Sequence, residues 1–142
     1  MATESLTGAI KDAFNANATL TTYFTGGIAL DEEPETQTLP WVIQSIEEGG
    51  EVQWDSGGYG IEMVPVKFEV YGSTAATAET GAISLAGVFD AVPPVISFTT
   101  SLMMSFLRQT ALIDKVESVR TASGEVAAVT EIKYMAMVQR SR

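Results

Sequence analysis

Ile61-Glu62-Met63-Val64-Pro65-Val66-Lys67-Phe68-Glu69-Val70-Tyr71 is the stretch whose reading decides the fold. Val64, Val66, Phe68 and Val70 fall on one side of an extended chain, and Glu62 is the only charge in phase with them. The spacing predicts a core strand. A loop with Gly57, Gly58 and Gly60 launches it, and Gly72-Ser73-Thr74 follows as a turn with a helix N-cap. The predicted helix runs to about Asp90, with Ala78, Ala82, Leu85, Ala86 and Phe89 on one face. So many alanines point to close packing on a sheet.

Upstream, residues 4–15 place Leu6, Ile10, Ala13 and Phe14 on one helical face, with Thr3 or Ser5 available as N-cap. Asn15 and Asn17 interrupt that helix, and Leu20, Tyr23 and Phe24 make a short apolar turn before Gly26-Gly27. One broken helix and two short ones fit equally well. Ile28 to Leu30 can form a brief strand, and Asp31, Glu32, Glu33 and Glu35 after it must be solvated, since unpaired like charges cannot be buried. Leu39 to Ile46 reads as a strand with Pro40 at its start. Residues 47–60, rich in glycine and acid and carrying Trp54 and Tyr59, read as a long flexible loop.

Downstream, Pro93-Pro94 stops the helix, and Val95 to Thr99 and Ser105 to Leu112 read as extended segments. The second puts Phe106, Arg108, Thr110 and Leu112 on one face, and Leu102, Met103 and Met104 before it read as core filler. Residues 114–120 read as a solvated strand or turn. A last long strand covers Glu125 to Gln139, with Ile132, Tyr134, Ala136 and Val138 alternating with Glu131, Lys133, Met135 and Met137. Arg140 and Arg142 form a basic end. The fold expected is α+β: a single domain over residues 1–142, with a mixed or mostly antiparallel sheet of about four to six strands. An N-terminal helix and a mid-chain helix pack on it.

Composition removes several kinds of chemistry. The chain has no cysteine and no histidine. That excludes a disulfide framework and thiolate catalysis, and it takes away the usual general base and the usual zinc ligands. No phosphate-binding lysine loop and no Gly-x-Ser-x-Gly elbow occurs. The acidic turn lacks the alternating oxygens and central glycine of an EF-hand. Adjacent carboxylates such as Glu47 with Glu48, or Glu51 with Asp55, lie in a glycine-rich segment that would not hold them at a catalytic separation. No catalytic residue, cofactor or metal site is expected. The N-terminus lacks the pattern of a signal peptide, and the uncharged run from Ala91 to Leu107 is too short and polar to span a bilayer.

The net charge of −10 falls in the first half of the chain, where 12 acids face only Lys11 and Lys67. Such a surface does not bind nucleic acid or anionic membrane without basic patches. It serves solubility, or it repels phosphate where DNA passes close by.

The order of elements resembles the tail terminator (tail completion, neck) proteins of long-tailed bacteriophages. Pro34-Glu35-Thr36-Gln37-Thr38-Leu39-Pro40-Trp41-Val42 is similar to that family's Pro-x-x-Thr-x-x-Pro-aromatic-Val stretch, and Val64 to Tyr71 resembles its following Val-x-Val strand. The match covers residues 5–90. The resemblance implies a virion structural protein, not an enzyme, assembled in the host cytoplasm as a homo-oligomeric ring of about six subunits. Such a ring ends tail-tube polymerisation and joins the tube to the head connector, while DNA crosses its lumen without specific binding. On this reading Asp31, Glu32, Glu33, Glu35, Glu47, Glu48 and Glu51 are candidate lumen-facing acids. Trp54 and Tyr59 are candidate partner contacts, and Arg140 and Arg142 a candidate docking tail. The alternatives are a tail tube or other head-tail connector protein, or a cone-shaped ligand-binding or cyclase-like domain with Trp41, Phe68 and Tyr134 lining a pocket.

Overall fold

The computed structural model describes residues 5–47, 60–110 and 116–140, and the backbone alone of residues 51–54. Its centre is a ribbon of two long antiparallel strands. The strand read from the opening stretch, β4 (Gly60–Gly72), pairs along its whole length with β7 (Val126–Arg140), from Gly60 opposite Arg140 to Gly72 opposite Ala128. On one side of the ribbon β4 carries β2 (Trp41–Ile46) and, beyond it, the parallel strand β1 (Ile28–Leu30). Further along the same side β4 pairs with β3 (Glu51–Trp54). On the other side β7 carries β5 (Leu102–Arg108) at one end and β6 (Val116–Arg120) at the other.

These seven strands make one mixed, open sheet. The α+β architecture with an N-terminal and a mid-chain helix is therefore as expected. The strand count rises because β3 forms inside the stretch read as a loop, where Val52 opposite Glu62 extends the hairpin into β4.

Helices cover one face only. In α1 (Leu6–Asn15), Leu6, Ile10 and Phe14 are buried, each contributing about 1.5–3 kcal/mol of hydrophobic stabilisation. Ser5 caps it by accepting from the Gly8 amide at 3.0 Å. The break at Asn15-Asn17 resolves into two helices, because the Asn17 side chain caps α2 (Ala18–Tyr23) by accepting from Leu20 N. Gly27 at φ 75° then turns the chain into β1. In α3 (Ala75–Phe89), Ala78, Ala82, Leu85, Ala86 and Phe89 are buried, the face read from the sequence. Gly81 lies on it, and a Cβ there would sit 3.0 Å from the Phe24 and Val70 side chains, so this helix approaches as closely as glycine permits.

Beneath α1 and α3, Val66, Phe68 and Val70 of β4 meet Ile132, Tyr134, Ala136 and Val138 of β7. The rings of Phe68, Phe89, Phe106 and Tyr134 close the centre, with Phe106 stacked on Tyr134 at 4.5 Å. Glu62, the odd charge in the phase of the core strand, sits near the ribbon's end and pairs with Arg140 at 3.1 Å.

Two segments differ from the sequence reading. Val95 to Thr99 is irregular, with Ile96 buried and Phe98 packed on the core, and it forms no strand. The strand expected at Ser105–Leu112 begins earlier, at Leu102, and ends at Arg108. A register shift between Met103 and Ser105 lets Met103 and Phe106 both face the core and leaves Met104 exposed. Leu112 lies outside the described residues.

Candidate assembly surfaces

The uncovered face of the sheet carries the other phase of the same strands. Lys67, Glu69 and Tyr71 of β4 stand beside Val129, Glu131 and Lys133 of β7. Where the turn after β1 folds across this face, Trp41 is fully buried and its indole stacks on the Tyr71 ring at 5.3 Å. Glu33 in that turn accepts from the Ala122 amide at 3.0 Å, tying the turn to the β6–β7 hairpin. Beside it Glu69, Tyr71, Thr110, Glu117, Val119, Val129, Glu131 and Lys133 line a groove of about 290 Å³. Partial burial, then the charges of Glu69, Glu33 and Glu131, push the Tyr71 phenol up to about 12. The groove is acid-rimmed, and among the described residues no group of three or more ligating side chains gathers for a metal.

The predicted acids divide between two places. Asp31, Glu32, Glu33 and Glu35 occupy the turn after β1, with Asp31, Glu32 and Glu35 exposed. Glu47 lies just past β2, its amide bonded to Pro65 O and its carboxylate 3.3 Å from the Lys133 ammonium. Glu48, Tyr59 and Arg142 lie outside the described residues, as do the side chains of Glu51 and Trp54. Arg140 is the last residue of β7, where its guanidinium bonds Glu62 and lies 4.9 Å over the Phe98 ring. The three aromatics of the pocket reading do not converge: Phe68 and Tyr134 face the helices, whereas Trp41 lies on the opposite face.

Across the core, Asp90 caps α3 and receives the Tyr134 hydroxyl at 2.7 Å and Arg108 Nε at 3.1 Å. Burial, and then the bond to Asp90, raise the Tyr134 phenol far above its ordinary range. The three side chains pin the end of a helix to β5 and β7.

With these surfaces in view, the chain can be set against known proteins. No family model matches it, and no curated protein matches it. Among solved structures, a chain in the virion of the native gene transfer agent particle superposes with a TM-score of 0.58 at 14% identity, covering 96% of both chains. The chain shares its fold with a virion protein. A second structure, the bacteriophage SPP1 gp17 protein, gives a TM-score of 0.48 at 13% identity, covering 91% of this chain and 86% of that one. The first likeness bears out the expected α+β fold, over a longer span than the residues 5–90 that suggested it.

Sequence reasoning missed two surfaces. The groove residues Glu69, Tyr71, Glu131 and Lys133 were present as the off-phase positions of two strands, a signal that could have placed them on one face. Leu102, Met104 and Leu107 on β5 were not legible as exposed, because the bulge at Met104 leaves no mark in the alternation.

Proposed function

We propose that this chain is a structural protein of a phage-type virion, a tail or neck component that closes into a ring, caps the tail tube and meets the head connector. One observation carries the reading: the likeness to a virion chain runs end to end through both molecules, 96% of each. Three further features support it. The groove on the uncovered face carries three carboxylates, Glu69, Glu117 and Glu131, against one lysine, Lys133, so this face repels phosphate. Among the described residues the sheet is not closed, which suits lateral assembly. The acidic turn at residues 31–35 suits a channel wall that DNA slides past without binding.

The test is native mass measurement of the purified chain together with electron microscopy. Closed rings of fixed size support the terminator reading. Long tubes would replace it with the tail-tube reading, and a monomer at every concentration would remove ring assembly altogether.

A further inference from the structure

We infer that the uncovered face of the sheet is a docking site for a segment of a neighbouring protein that carries apolar side chains and, about 13 Å further along, an arginine. The inference rests on the reading of a virion component above and names the chemistry of one neighbour that such a component meets.

The apolar part of the site is the half of the face away from Gly72. Met63 stands opposite Met137, and Pro65 opposite Met135, which Leu107 flanks from β5. The four ribbon side chains are half-buried, and Leu107 is 54% exposed.

Four residues along β7 from Met135 the character of the face reverses. Glu69 stands directly opposite Glu131. Side chains so placed have Cβ atoms about 5 Å apart, and like charges there repel. Glu117, opposite Val129, is the third carboxylate of the groove of about 290 Å³, whose walls also include Tyr71 and Val119. In the row between acid and apolar halves, Lys133 has its ammonium 3.3 Å from Glu47, outside the groove, and Lys67 lies 3.9 Å from Glu69. The field in the groove stays negative: after partial burial, the charges of Glu69, Glu33 and Glu131 help push the Tyr71 phenol up to about 12.

This pattern selects its occupant by charge and shape. Two carboxylates facing each other across a strand pair offer acceptors to a planar guanidinium, which bonds both at once and relieves their repulsion. An ammonium is a point charge and satisfies the pair less well. A second copy is the poorer match, because each chain carries 18 acidic against 8 basic side chains. The same acids turn DNA away.

The probe is a synthetic threonine-rich peptide with one arginine and, beginning four residues further along, two leucines, titrated by calorimetry into the full chain. It should bind, and exchanging its arginine for lysine, or its leucines for threonine, should weaken binding about tenfold. Glu131→Gln, at an exposed position, should also weaken binding about tenfold while leaving the free chain at least as stable, since it removes a repulsion. Asp31→Asn with Glu32→Gln removes more charge elsewhere and should change binding by about twofold or less. No binding to the wild-type chain, equal binding of the lysine or threonine peptide, or equal weakening by the two sets of substitutions overturns the site. Native mass reads assembly separately. A chain that binds the peptide but never forms rings removes the ring reading and keeps the site, whereas a ring that does not bind removes the site alone. Rings that fall apart in Glu131→Gln would give the face to a second copy and overturn the inference.

Discussion

Replacing Asp90 tests whether the helix α3 is held to the sheet by one shared carboxylate. Asp90→Ala removes the acceptor of the Tyr134 hydroxyl at 2.7 Å and of Arg108 Nε at 3.1 Å. Tyr134 is only 1% exposed, so its hydroxyl is stranded without water, a loss of about 1–3 kcal/mol. The ion pair with Arg108 adds little, because both side chains are about a third exposed, at 30% and 36%. Removing a negative charge from a helix C-terminus returns about 0.3–1 kcal/mol. The balance is a net loss of about 1–2 kcal/mol, or about 3–6 °C in Tm for a chain of this size. Tyr134→Phe removes the stranded hydroxyl, so the double variant should be at least as stable as Asp90→Ala alone. Urea unfolding of all four proteins at one fixed concentration measures the coupling as a double-mutant cycle. Strictly additive losses, or an Asp90→Ala chain as stable as wild type, would refute the shared clamp.

Two further outcomes are expected. Tyr71 keeps its proton in the folded chain up to about pH 12, against an ordinary value of 10.0. Its contribution to stability is complete below pH 10, falls as the unfolded chain ionises first, and is lost as the pH rises through about 12. Wild type should therefore lose more stability than Tyr71→Phe across that window, and parallel melting curves would exclude the effect. If the acidic turn lines a DNA channel, changing Asp31, Glu32, Glu33 and Glu35 together to lysine should make assembled rings retain DNA in a salt-dependent way. Equal retention by wild type and variant in a filter-binding assay would put these residues elsewhere on the ring.

Much of this fold was legible because its central strands obey one simple period. Val66, Phe68 and Val70 alternate cleanly, and so do Ile132, Tyr134, Ala136 and Val138, since one face of each strand is covered by helices and the other is not. The helix faces of α1 and α3 were equally plain. The segment from Val95 to Leu112 was not, for two physical reasons. Ile96 and Phe98 are apolar because they plug the core as irregular chain, which composition cannot tell from a strand. The bulge at Met104 then shifts the phase, so the alternation of Phe106, Arg108, Thr110 and Leu112 places the strand too late. Asp31, Glu32 and Glu35 are exposed as read, whereas Glu33 is half-buried on the Ala122 amide and Glu47 pairs with Lys133, partnerships set by tertiary topology that no local pattern carries.

The uneven finish of the sheet's uncovered face bears on assembly. Its half near Gly72 is partly covered within the chain: Trp41 is buried against the Tyr71 ring, Glu33 bonds across to Ala122, and the acid-lined groove lies beside them. Its other half presents Met63, Pro65, Met135 and Met137, all only half-buried, in rows that continue into the exposed Leu107 of β5. A chain designed to remain alone would place charge there, as it does at Lys67 and Glu69 one row away. Methionine adapts its shape to different neighbours more readily than branched side chains. On the function proposed above, this adaptable apolar surface is where a neighbouring virion protein would seat.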